Sequence, residues 1–389
     1  MFFSISNDKN AELGFNNVYH VGNFVIHTDS GWNHEVHRNI DYIYKGYVEN
    51  GTLDTKIQNN DFNNLKGNYC VFAIDNKELK IYHNLLRTFP IYRYSDKISN
   101  IDYGNVEEVC YCDAKLTIDS DSNITDYTSN DIIGDIPTST KTEEEVIDEI
   151  DQIMLSSFEN FFKHNKLPVK IWLSGGVDTT LMYSYLQKYC NDYEVLNYEH
   201  IYFDKFWCCN KRKVEKNWAY QQCHHFKEDC VLVSGALGDE FMMRNPTSAN
   251  LYLSYYGVDI LDYMKNNDEM YHTKHFLKEK NIKRVRNQEQ QVAHVKTLDE
   301  VEMRKYICNI LANDYQHHHI GNTLSFTPLR DINIMKLLMQ LPIDVLLKQI
   351  SDAYITKKLI QRHNPQMMDL ISPSKNANED MCHLHSVIT

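Results

Sequence analysis

The stretch Ser174-Gly175-Gly176-Val177-Asp178-Thr179-Thr180 decides the reading of this chain. Before it lies Val169 to Leu173, a short apolar run suited to a buried strand. After it Leu181, Met182, Tyr185, Leu186 and Tyr189 recur as one helix face. Strand, glycine loop, helix is a setting that binds phosphate. The two glycines let the backbone approach an anion, amides and hydroxyls point at it, and the helix N-terminus adds a favourable dipole. No GxxxxGK[ST] pattern is present, so no lysine reaches the terminal phosphates, and the loop carries Asp178, which a bare phosphate would repel. A magnesium ion between Asp178 and the phosphates resolves that conflict. The plainer use of the same residues is a helix cap and a tight turn.

A second loop favours the ligand reading. The run Cys230 to Val233 is followed by Ser234-Gly235-Ala236-Leu237-Gly238-Asp239-Glu240, again small residues at the end of a strand with carboxylates close behind. Two such loops from one parallel sheet share an edge, where open α/β sheets bind ligands, and Asp178 and Asp239 then share the magnesium. The alternative is that Asp239 and Glu240 are only the acidic first turn of a helix.

Working outward, the pattern predicts further elements of an α/β fold: a strand near Tyr193 to Tyr198, a helix through Val214, Trp218 and Phe226, and helices beyond Ile260. Thr142 followed by Glu145 reads as a capping box. It opens a long helix whose face is Val146, Ile147, Ile150, Ile153, Met154, Phe158 and Phe161. The first hundred residues read as an antiparallel β half, with strands at Asn23–His27, Tyr69–Ile74, Leu79–His83 and Ile91–Tyr94 and a hairpin turn at Asp75-Asn76-Lys77. A polar stretch from Asp113 to Thr142 reads as a linker, giving domains at residues 1–112 and 143–389.

At 389 residues the chain has room for two full cores. Its net charge of -13 makes the surface repel phosphate backbones, so non-specific nucleic-acid binding is not expected. No apolar run of the roughly 18 residues a membrane span needs occurs, and Met1 to Gly14 lack the features of a secretory signal, so a cytoplasmic location is expected. The 10 cysteines are scattered, without the spacing of structural zinc pairs, and read as reduced thiols. His317 to His319 are adjacent, so their side chains diverge rather than converge on one metal.

At this point the chain resembles a known family. SGGVDTT is similar to the SGGxDS pyrophosphate loop of N-type ATP pyrophosphatases, and SGALGDE, in this order, resembles the second loop of the asparagine synthetase and β-lactam synthetase group. Thr327-Pro328-Leu329-Arg330-Asp331, Leu341-Pro342 and the lysine-containing segment Tyr354 to Leu359 are similar to later family segments. Ser372-Pro373-Ser374-Lys375 falls where the family keeps a catalytic lysine. In the amino-terminal half, Leu65 to Asp75 and Arg87 to Tyr92 resemble strands of the family's glutaminase domain. The resemblance implies an Ntn-hydrolase-like α+β sandwich followed by a parallel-sheet PP-loop ATP pyrophosphatase domain with a helical C-terminal part.

The resemblance also implies a reaction. ATP is split between its α and β phosphates as a carboxylate attacks, and an amine resolves the acyl-adenylate to an amide. Ser174, Gly175, Gly176 and Thr179 would cradle the pyrophosphate, and Asp178 and Asp239 would hold Mg2+. Lys375 would place a fixed positive charge on the transition state. Leu173, Trp172, Tyr198 and the Ser234-Gly235 backbone would neighbour adenine and ribose. The expected partners are a small-molecule carboxylate and an amine, with a homo-oligomer left open.

Two departures qualify this expectation. Met1 is followed by Phe2 and Phe3, with no cysteine before Cys70, so no N-terminal thiol is expected to hydrolyse glutamine. Ala236 stands where asparagine synthetases carry Glu and β-lactam synthetases carry Tyr to guide the attacking amine. A base then has to come from elsewhere, with Glu240, Tyr306, Asp314 and His317 as candidates. Two other readings stay open: a non-catalytic descendant that binds nucleotide or a partner, and an enzyme that adenylates a nucleobase for sulfur or nitrogen transfer.

Overall fold

The computed structural model describes residues 3–6, 15, 17–29, 31–49, 51–62, 65–75, 77–83, 91–95, 97–100, 108–110, 115–121, 123–128, 133–173, 175–196, 229–312 and 323–371. Alternating polar and apolar residues in the first 128 positions build two six-stranded antiparallel sheets. In the first, strands follow edge to edge as β10 (Glu108–Cys110), β8 (Ile91–Arg93), β9 (Lys97–Ser99), β1 (Phe3–Ser6), β3 (Phe24–Thr28) and β2 (Asn17–Val21). The second runs β12 (Ile124–Thr128), β11 (Lys115–Asp119), β7 (Glu78–His83), β6 (Gly67–Ile74), β5 (Ile40–Val48) and β4 (Asn33–His37).

Phe3, Ile5, Phe24 and Ile26 of one sheet meet Ile43, Phe72, Leu79 and Ile81 of the other in a buried core, so the sheets form a sandwich. The outer face of the second sheet is also covered. Helix α1 (Leu53–Asn59) lays Leu53 and Ile57 on Tyr42, Tyr44, Val71 and Ala73.

Two expectations are corrected here. The segment 113–142 is not simply a linker. Its β11 pairs with β7 and its β12 with β11, so it completes the second sheet before the chain leaves the sandwich. Its alternation is short and rich in Asp, Ser and Thr: β12 is the sheet's edge and keeps polar side chains wet, while β11 buries Leu116, Thr117 and Ile118. Nor is the chain beyond Ile260 wholly helical, since Thr323–Phe326 forms a strand.

Helix α2 (Glu143–His164) starts where the sequence signals it. The Thr142 side chain accepts from the Glu145 amide at 3.3 Å, and the Glu145 carboxylate accepts from the Thr142 amide at 2.8 Å. Its buried residues Val146, Ile150, Met154, Phe158 and Phe161 pack onto a four-stranded parallel sheet ordered β14 (Tyr193–Leu196), β13 (Val169–Trp172), β15 (Cys230–Val233) and β16 (Thr323–Phe326). Each such side chain, fully buried, contributes roughly 1.5–3 kcal/mol. Strand β13 leads to β14 on one side, while β15 leads to β16 on the other. The crevice between β13 and β15 is therefore the point where the strand order reverses.

The two halves touch through β5 and the residue just before β6. The Tyr47 ring meets Phe161 edge-on at 4.7 Å and Phe326 at 5.7 Å, and Lys66 pairs with Asp331 at 2.5 Å.

Candidate functional site

Both loops singled out in the sequence leave the C-terminal ends of adjacent strands, β13 and β15, at that reversal point. After β13, buried Leu173 leads into Gly175, whose φ of 72° is open to glycine at little cost, and then into α3 (Val177–Tyr189). The α3 N-cap is Gly176, which has no side chain to cap the helix. Thr179 and Thr180 hydroxyls instead donate back to the Gly176 carbonyl at 3.1 and 2.9 Å, and the Val177 amide donates to the Tyr271 hydroxyl at 3.2 Å.

The second loop is pressed against the first. A Cβ at Gly235 would lie 2.8 Å from the Asp178 carbonyl carbon and from the Thr179 amide nitrogen. The Ser234 amide donates to the Phe326 carbonyl, and the Ala236 amide to the Ser234 hydroxyl at 3.1 Å. Leu237 takes a left-handed φ of 64° to enter the short helix α4 (Gly238–Phe241), which carries Asp239 and Glu240. Met243 takes a second one, 59°, and turns the chain so that the Arg244 amide donates to the Asp239 carbonyl at 2.7 Å. Left-handed non-glycine residues are uncommon, and here the pair reverses the backbone within one turn.

That reversal aims the Arg244 side chain back into the crevice. Its guanidinium, with a side-chain exposure of 0%, forms an ion pair with Asp178 and lies 3.5 Å from Asp239, while its other terminal nitrogen donates to His272 Nε2 at 2.9 Å. An arginine can only donate, so Nε2 accepts and Nδ1 carries the His272 proton when the ring is neutral. Burial works against the arginine's charge, but Asp178 and Asp239 outweigh it and move its pKa up. Burial also raises the Tyr271 phenol to about 12, with the Asp178 charge adding to the effect.

Behind Tyr271 the lysine-containing helix Tyr354–His363 contributes Lys357. Its ammonium sits 5.1 Å from the centre of the Tyr271 ring and pairs with Asp352 at 2.6 Å.

Of the residues singled out in the sequence, Leu173, Gly175, Gly176, Ser234 and Gly235 thus lie on the two touching loops, and Asp178, Thr179 and Asp239 in the first turns of the helices that follow them. Ser174, Tyr198 and Lys375 fall outside the described residues, as do Asp314, the histidine run from His317 to His319 and the helix expected through Trp218. Glu240 accepts from Asn245 at 3.1 Å, and Tyr306 packs edge-on against His294 at 5.1 Å. Sequence reading missed Arg244, Tyr271, His272 and Lys357 as a group. Only Lys357 had a signal, its place in the segment Tyr354 to Leu359. Nothing in the spacing of the others announces that they converge.

The fit of a resident metal can be tested on this geometry. Among the described residues no group of three His, Cys, Asp or Glu side chains is arranged to hold an ion, and the two aspartates converge on a guanidinium. In this arrangement the donor set does not fit a resident divalent cation. Cys70, the first cysteine of the chain, is buried in the sandwich core, where burial pushes its thiol pKa up and away from nucleophilic use.

No protein-family model matches this chain, and no curated protein matches it either. Among solved structures it is similar to glutamine phosphoribosylpyrophosphate amidotransferase from B. subtilis, complexed with ADP and GMP, at 10% identity and a TM-score of 0.19. The match covers 57% of this chain and 63% of that one, so the chain spans less than two thirds of that protein's length. No described helix is long and apolar enough to cross a membrane.

Proposed function

We propose that the chain is an AMP-forming carbon–nitrogen ligase of asparagine-synthetase-like type, with an amino-terminal sandwich that does not hydrolyse glutamine. One observation carries the reading: two loops from neighbouring parallel strands meet at the strand-order reversal point with Asp178 and Asp239 facing one buried cation. Carboxylates, an arginine and the N-terminus of a helix gathered in one crevice suit a polyphosphate better than an apolar ligand.

In the proposed reaction a substrate carboxylate oxygen attacks the α-phosphorus of ATP. The bond to the β-phosphate oxygen breaks, and pyrophosphate leaves. An amine nitrogen then attacks the acyl carbon, AMP departs with the former carboxylate oxygen, and the amine's proton passes to a base. The chain's own contribution is electrostatic. Gly175 and Gly176 let backbone approach the phosphates, the amides at the start of α3 face the leaving group, and Arg244 supplies positive charge. Lys375 and Ser174 join the reading through the resemblance of their motifs. The experiment that tests it is pyrophosphate release from Mg-ATP with a panel of carboxylates and amines.

The ion pair of Arg244 with Asp178, close to Asp239, favours a second reading, a descendant that binds nucleotide without turning it over. Nucleotide binding with no pyrophosphate release under any substrate pair would select it.

A further inference from the structure

We infer that Arg244 is the resident cation of this crevice, so that Asp178 and Asp239 hold no divalent ion in the nucleotide-free protein. This rests on the reading of the two loops as a nucleotide site. A shared magnesium would have to lie between the carboxylates, and the guanidinium already lies there, in ion contact with Asp178 and 3.5 Å from Asp239. An arginine cannot give up its charge to make room, and a divalent ion beside it would meet direct repulsion.

Nor is the arginine free to swing away into water. Its side chain is fully buried, His272 accepts from it at 2.9 Å, and the turn through Met243 fixes where it starts. Only an incoming anion offsets the loss of its carboxylate partners. The Arg244 Nε, buried and with no hydrogen-bond partner among the described residues, leaves the guanidinium donor capacity that its neighbours do not use. A phosphate oxygen would use it.

The nucleotide-free protein thus holds its two carboxylates paired and closed to metal.

Titration of the full, nucleotide-free chain with Mn2+, read by the loss of the free-ion electron paramagnetic resonance signal, tests this without any need for turnover. The wild type is expected to show no Mn2+ site that depends on Asp178. Arg244→Gln is expected to gain one, bound at least about tenfold tighter than anything in the wild type. Adding Asp178→Asn to it should abolish the gain, and Arg244→Lys, which keeps the charge, should stay like the wild type. A nucleotide-free wild type that binds Mn2+ and loses it in Asp178→Asn would overturn the inference. So would a folded Arg244→Gln protein with no gain. If Arg244→Gln does not fold, the comparison of wild type with Asp178→Asn still decides. Loss of the ligase reading would show separately, as absent pyrophosphate release with these metal results intact.

Discussion

A side chain at Gly238 would collide with Asp178: a Cβ built there lies 2.4 Å from the carboxyl carbon and 2.5 Å from its Oδ1. The Asp178 carboxylate, in the first turn of α3, is thus seated against the backbone of the second loop, and its position depends on a missing methyl group. Gly238→Ala should push the carboxylate off Arg244 and weaken nucleotide binding while the fold survives. Gly235→Ala meets the backbone of Asp178 and Thr179 as well as the Asp178 Cβ, so it should cost more stability, on the order of 1–3 kcal/mol, in chemical denaturation. Equal effects of the two substitutions would contradict this packing.

Asp178→Asn removes the closest counter-charge of a buried arginine. Breaking such a pair costs about 3–5 kcal/mol when no partner remains, and Asp239, at 3.5 Å, limits the loss to less than that. Thermal melting should show a lower but cooperative transition, and isothermal calorimetry a loss of Mg-ATP affinity.

The elements most legible in the sequence were those where several signals agreed. The Thr142 and Glu145 pair and the spacing of Val146, Ile150 and Phe158 located the start and the face of α2, and the apolar run Cys230 to Val233 marked β15 residue for residue. Strands β11 and β12 were hidden because their polar composition looks like a connection, and only pairing with β7 gives them a structural role. At the site, the glycines and aspartates of the two loops were visible as motifs. Arg244 was not, because its part depends on left-handed turns at Leu237 and Met243, residue types that do not advertise that conformation. Tyr271 and Lys357 come from distant segments joined only by tertiary packing.

Asp151 offers a pH test away from the crevice. It is buried, and accepts from Tyr185 at 2.6 Å and pairs with His363 at 2.6 Å and Arg362 at 3.2 Å, tying α2 to α3 and to the helix that carries Lys357. Burial opposes its charge, but the hydrogen bonds from Tyr185 and His363, with help from Arg362, outweigh it and hold the carboxyl below its ordinary pKa. A lowered acid pKa gives stability that is present above the unfolded value of about 3.9 and is lost as pH falls through the folded one. Asp151→Asn should therefore be less stable than the wild type at neutral pH by roughly 1–3 kcal/mol. The gap should narrow below about pH 4. A gap that stays constant in melts across pH would contradict the assignment.

Glu49 carries the opposite sign. Burial beside the contact between the halves raises its pKa, although the Lys66 charge pulls the other way. A raised acid pKa makes stability fall as pH climbs from the ordinary carboxylate range to the folded value. Glu49→Gln should thus be neutral or stabilising at neutral pH, by up to about 1 kcal/mol, and should flatten that part of the stability profile.

Tyr47 joins the sandwich to the parallel-sheet half through its ring contacts with Phe161 and Phe326. Tyr47→Ala should cost on the order of 2–3 kcal/mol and separate one melting transition into two. A single unchanged transition in calorimetry would show that the contact does not couple the halves.

The most direct test of the central claim is pyrophosphate release from Mg-ATP, measured on the purified full chain against a panel of carboxylates and amines, with Asp178→Asn as the blank. The account predicts release that requires a particular carboxylate, yields AMP in equal amount, and disappears in the Asp178→Asn protein. A chain that binds Mg-ATP yet releases no pyrophosphate with any acid and amine would contradict it.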